Sequence, residues 1–150
     1  MRRGPILAFV LFAVAGCSVP RWPVDGPLTS PFGVRRAGLL NFDIHRGVDI
    51  AVPTGTPVHA MAPGVVEFAG GMNGYGRVVI IDHGQGVRTL YAHLSEVNVA
   101  TGEAIAGRPV IGLSGASGRV TGEHLHFEVL RSGRAEDPVP LLGGLPRLSR

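Results

Sequence analysis

Glycine and proline interrupt this chain too often for long helices: 23 glycines and 12 prolines are distributed through 150 residues. Inside a helix a glycine costs about 1 kcal/mol relative to alanine and a proline about 3. Short strands joined by tight turns fit such punctuation instead. Strands are predicted over Val58–Met61, Val65–Ala69, Arg77–Asp82, Val87–His93, Val110–Leu113 and His124–Leu130. In the last of these Leu125, Phe127 and Val129 alternate with His124, His126 and Glu128, which gives one apolar and one polar face. Asn73-Gly74, Gly84–Gly86, Thr101-Gly102 and Ala106-Gly107 read as turns, the second in a tight hairpin. No segment reads as a helix. The expectation is one all-β domain, a glycine-rich antiparallel sheet or sandwich.

The first residues read as an address. Arg2 and Arg3 precede an apolar stretch from Ile6 to Ala15, on the order of ten residues and too short to span a bilayer as a helix. Val14-Ala15-Gly16-Cys17 resembles the lipobox of bacterial lipoproteins, in which the cysteine is acylated and becomes the first residue after cleavage. Cys17 is the single cysteine, so an internal disulfide is excluded. Acyl chains worth about 0.8 kcal/mol per buried CH₂ would hold the protein on a membrane. Ser18 points to the outer membrane, facing the periplasm, if the source has two membranes. The organisation expected is a signal peptide at 1–16, a lipidated cysteine and tether at 17–27, the domain at 28–140 and a loosely held tail at 141–150. The few residues before Leu28 leave no room for an inhibitory prodomain.

Charge excludes one class of partner. Every basic residue is an arginine, and setting Arg2 and Arg3 aside from the 14 leaves 12 against 11 acids. Without a basic stripe or a run of like charges, electrostatic nucleic-acid binding has no support.

All six histidines lie between residues 45 and 126. His45-Arg46-Gly47-Val48-Asp49 sets a histidine and a carboxylate four residues apart, on one face of an extended segment, with Gly47 leaving space where an ion could sit. His124-Leu125-His126 puts two imidazoles on one face of a strand, roughly 7 Å apart along it. Tyr91-Ala92-His93-Leu94 ends another strand with a further histidine. Two histidines and one carboxylate with a fourth position open suit a catalytic Zn²⁺. Buried paired imidazoles with no partner would be costly. Asp43 shares a face with His45 if the chain is extended there and competes with Asp49 as the carboxylate.

Ser30-Pro31-Phe32-Gly33-Val34-Arg35, His45-Arg46-Gly47-Val48-Asp49-Ile50-Ala51, Pro53-Thr54-Gly55-Thr56-Pro57-Val58, Tyr91-Ala92-His93-Leu94 and Gly122-Glu123-His124-Leu125-His126-Phe127-Glu128 together resemble the successive signatures of lysostaphin/LytM-type zinc metallopeptidases. Gly115 to Gly118 fits the glycine-rich approach to the final strand. The resemblance runs from about Thr29 to Pro138. It implies a LytM-like domain of the duplicated hybrid motif type, with zinc held by His45, Asp49 and His126. His93 and His124 would stand beside the metal as catalytic groups, and peptidoglycan peptides would be the substrate. Zinc acidifies a bound water and polarises a carbonyl, and an adjacent imidazole can orient that water, accept its proton or stabilise an oxyanion. The HExxH helix of other zinc peptidases is absent.

Other residues carry less. His59 and His83 fall outside the signatures and read as hydrogen-bonded or surface histidines. Arg35 either lines the groove or braces a loop. Tyr91 alternates onto the face of His93, which suggests a groove role. Glu123 stands where proline is common in the family and reads as a solvated charge at the cleft rim. A catalytically silent relative that binds or activates another wall hydrolase is the competing reading, although all five site positions are kept. Pro63–Val66 also resembles the turn of biotinyl- or lipoyl-type carriers, but those need an acceptor lysine, and this chain has none.

Overall fold

A computed structural model describes residues 19–36 and 42–147. The signal peptide expected at 1–16, the lipidation expected at Cys17 and the final three residues of the expected tail lie outside the described residues. Among the described residues the chain forms β1 (Leu28–Ser30), β2 (Gly33–Arg36), β3 (Phe42–His45), β4 (Val48–Ile50), β5 (Pro57–His59), β6 (Gly64–Met72), β7 (Gly76–Gly84), β8 (Val87–Leu94), β9 (Glu96–Val97), β10 (Ala104–Ile105), β11 (Val110–Leu113), β12 (Leu125–Arg131), β13 (Arg134–Glu136) and one helical turn, α1 (Pro138–Leu141). All strand pairings are antiparallel. The all-β reading therefore holds.

The main sheet runs β1-β4-β12-β8-β7-β6-β10, with β13 added beside β12. β12 pairs along one edge with β8 and shares its other edge between β4 and β13. A three-stranded sheet, β5-β11-β9, and the β2-β3 hairpin complete the fold. Both larger sheets close on one core, in which Val58 and Ile111 of the small sheet meet Val66, Ile81, Tyr91, Leu125 and Phe127 of the large one. Period-two alternation explains the sorting in β12: Leu125, Phe127 and Val129 are buried in this core while His126 and Glu128 face away from it. A smaller apolar group, Val78, Leu90 and Ala92, covers the opposite face of the main sheet. The β7–β8 hairpin turns through Gly84, Gln85 and Gly86, all at positive φ (80°, 53° and 76°), a conformation glycine adopts at little steric cost.

Three expectations change. The tether does not end at Pro27, because the segment before it is packed: Val24 is buried, Trp22 packs against the core, the Arg21 amide donates to the Met61 carbonyl and the His59 amide to that of Pro23. The tail is docked through Gly144, whose carbonyl accepts the Trp22 indole N–H at 2.9 Å. A helical turn also exists at Pro138–Leu141, started by Asp137, whose carboxylate accepts the Val139 amide at 3.0 Å, with proline in the first turn.

Candidate metal centre

Strand register assembles the site. Asp49 of β4 sits directly opposite His126 of β12, so their side chains emerge side by side on the face away from the core. His45 ends β3 and reaches the same point across the two-residue link Arg46-Gly47. Gly47 is there for a different reason from the one expected. A Cβ on it would collide with the Phe127 carbonyl and the Glu128 side chain, so glycine lets the β3–β4 link lie against β12. No ion-sized space is reserved at Gly47 itself.

Three donor atoms converge. His126 Nδ1 lies 2.8 Å from Asp49 Oδ1, and His45 Nε2 lies 3.1 Å from each of them. His45 Nδ1 is 2.8 Å from the Pro31 carbonyl; donating there leaves Nε2 with its lone pair toward the cluster. His126 Nε2 donates to Glu128 Oε1 at 3.1 Å, which frees Nδ1 in the same way. Tetrahedral zinc bonds near 2.0–2.1 Å would set such donors roughly 3.4 Å apart, and nitrogen, nitrogen and carboxylate oxygen are the donor types zinc takes. The residues fit a metal ion. Asp43 does not compete: its carboxylate is exposed and paired with Arg35 at 3.3 Å.

Electrostatics agree with the geometry. Burial works against the charge on Asp49, but hydrogen bonds with His126 and then His45 outweigh it and hold the carboxyl well below the usual range. Burial likewise disfavours a charged His126, yet Asp49 and Glu128 overcome it and raise its proton affinity. The anions that attract a proton there also attract a cation, so the two compete for Nδ1. Glu128 is only 2% exposed, and it accepts the Tyr75 hydroxyl at 2.8 Å as well as His126. Burial, then that hydrogen bond, pushes Tyr75 up to about 12.

His93 and His124 flank the cluster, their ring centres 4.9 Å apart and that of His93 5.9 Å from His126. His93 reaches this face through a left-handed backbone, φ 60°, which a histidine adopts only at some cost. That twist breaks the alternation of β8. Ala92 stays on the site side, whereas Tyr91 and Leu94 both enter the core. Tyr91 is accordingly no groove residue: it is fully buried, and its hydroxyl accepts the Met61 amide and bonds Thr89. His93 Nδ1 faces the Ser117 carbonyl at 2.9 Å and His124 Nδ1 that of Gly122 at 2.9 Å, so each Nε2 is left as an acceptor. Burial lowers the proton affinity of His93 against the pull of the Ser117 carbonyl. His124 Nε2 stands 3.7 Å from Asp49 Oδ1. Gly115 seats both histidines: it bridges His124, and a Cβ on it would meet the Ser95 amide at 2.6 Å and the His93 carbonyl at 3.0 Å.

These groups open into a cleft of about 490 Å³. Arg35 lines it and also braces it, donating to Ser30 Oγ at 3.2 Å and standing 3.7 Å from Asp49. Glu123 is exposed but held, since it accepts the Thr54 amide at 2.7 Å, and that bond lowers its proton affinity. His59 and His83 are hydrogen-bonded away from the site, to the carbonyls of Arg108 and Pro63. Sequence reading did not single out Tyr75, Arg46 or Arg119, all of which line the cleft. None belongs to a periodic pattern. Glu128 was visible as one position on the polar face of its strand and as the end of a signature, without a role of its own.

Residues 43–138 match Peptidase family M23. The chain belongs to that family. Among curated relatives, it is 45% identical over 124 residues to the DD-carboxypeptidase/endopeptidase Mpg of Neisseria meningitidis, covering 82% of this chain and 29% of the relative. It is 38% identical over 135 residues to the murein hydrolase activator EnvC of Escherichia coli, covering 85% and 31%. Among solved structures, a zinc-containing peptidase from Vibrio cholerae superposes with a TM-score of 0.75 at 33% identity, covering 85% of this chain and 40% of that one. This M23 chain thus spans less than a third of the length of these two curated relatives.

Proposed function

We propose that this M23 domain is a zinc-dependent endopeptidase acting on the peptides of bacterial peptidoglycan. The convergence of His45 Nε2, Asp49 Oδ1 and His126 Nδ1 within 3.1 Å, with two further imidazoles beside it, carries the reading. When bound, zinc supplies Lewis-acid polarisation of a scissile carbonyl and an acidified water. His93 is the proton acceptor: burial favours its neutral form, and Nδ1 is taken by the Ser117 carbonyl, which leaves Nε2 to accept. His124, more exposed and with Nε2 3.7 Å from Asp49 Oδ1, is a second acceptor that helps orient the attacking water. The names of Mpg and the zinc-containing peptidase support the peptidase reading and the metal. The likeness to EnvC keeps a second reading in view, a silent module that activates another hydrolase.

Zinc-loaded protein should hold one zinc per chain and release peptide-cleavage products from cross-linked sacculi, read by muropeptide profiling. His93→Ala should keep the zinc and lose hydrolysis by about a hundredfold or more. If the zinc-loaded parent leaves sacculi intact, the activator reading replaces this one. Undiminished hydrolysis by a His45→Ala/Asp49→Ala double variant would overturn the metallopeptidase itself.

A further inference from the structure

Three arginines and three acids line the cleft, and their pairing is uneven. Arg35 is committed to Asp43 at 3.3 Å and leans on Asp49 at 3.7 Å. Glu128 is covered by the Tyr75 hydroxyl and His126 Nε2. Among the described residues, neither Arg46 nor Arg119 has a carboxylate within 4.0 Å. Both are exposed, yet both rise from fixed backbone. Arg46 lies between the donor His45 and the tightly packed Gly47. The Arg119 amide donates to the Gly74 carbonyl at 2.9 Å, and Gly118 before it presses on the same turn so closely that a Cβ would meet the Gly74 carbonyl at 2.6 Å.

We propose that Arg46 and Arg119 form a carboxylate-reading subsite, which makes the preferred substrate a peptide with a free carboxylate close to the bond that is cut. This rests on the peptidase reading above and names its substrate class. Guanidinium groups bind carboxylates through paired, charge-assisted hydrogen bonds. In a chain whose charges otherwise nearly balance, two unpaired cations in the cleft concentrate positive potential there. Stem peptides cross-linked through diaminopimelate offer such carboxylates; a glycine bridge offers none between its ends. A carboxylate on the diaminopimelate side chain and one at the peptide C-terminus present the same chemistry.

The test uses three cross-linked muropeptides: one unmodified, one amidated at the diaminopimelate carboxylate and one amidated at the C-terminus. Cleavage by the zinc-loaded protein is followed as kcat/KM, and equilibrium binding to His93→Ala by calorimetry. One of the two amidations should cost about tenfold or more, chiefly in KM and with a matching loss of affinity, and the sensitive position identifies the carboxylate read. In Arg46→Gln and Arg119→Gln the ratio between free-acid and amidated substrate should fall toward one, with zinc content unchanged. Equal handling of all three peptides by the parent, or an unaltered ratio in both variants, overturns the subsite. Absence of cleavage with the binding preference intact defeats the peptidase reading and leaves the subsite standing.

Discussion

His126 uses both ring nitrogens, Nδ1 toward Asp49 and His45 and Nε2 toward Glu128. Glu128 therefore fixes the ring and its tautomer while remaining outside the donor set. Glu128→Gln keeps the shape and removes the charge, so metal affinity should fall about 10- to 100-fold, measured by titrating the metal-free protein against a chelator of known affinity; an unchanged affinity would make Glu128 a packing residue. Much of this was legible. The His-X-Gly-X-Asp spacing and the alternation through 124–128 set four of the five site residues and Glu128 on shared faces, and the family signatures supplied the roles. Tyr91 was misread because sequence alternation assumes an extended backbone. The left-handed φ at His93 leaves no mark in side-chain periodicity. Arg46 and Arg119 were invisible for another reason, since their significance depends on which acids the fold leaves unpaired.

At the level of elements, β12 joins stability to chemistry, with one face filling the core and the other presenting His126 and Glu128. Six strands were read from glycine punctuation and all six exist. The misses are mostly short strands of two to four residues, too brief for a period to declare itself. α1, capped by Asp137, is a single turn of four residues, too short for a helical period to show. Between β7 and β8, His83 holds the Pro63 carbonyl with Nδ1 and Thr89 Oγ1 with Nε2, each at 2.7 Å. Burial lowers its proton affinity below the ordinary value of 6.5. Between the folded and unfolded values the unfolded chain binds more protons, so stability rises with pH. His83 thus contributes fully above about pH 6.5 and progressively less as the pH falls toward its folded value. Denaturant midpoints at pH 7.5 and pH 5 should differ less for His83→Gln than for the parent. An equal difference in the two chains would show that His83 carries no such linkage.

Across the whole molecule, one core serves both sheets, and the segment first read as a tether is part of it. Trp22 packs edge-on to Phe127 with ring centres 6.1 Å apart, its carbonyl accepts Arg108, and Arg108 also donates to the Ala60 carbonyl. The prolines around Trp22 suggested a spacer because proline excludes helix and central strand alike, and sequence pattern has no term for an irregular segment that packs. Trp22→Ala should lower stability by about 2 to 3 kcal/mol, and a chain beginning at Leu28 should melt below one beginning at Val19. Equal melting of the two would restore the tether. The Trp22 indole also meets the Gly144 carbonyl, which brings residues near the two ends of the described domain together. Because these points are neighbours, the domain can be grafted into a loop of a host protein without prising the host's own ends apart.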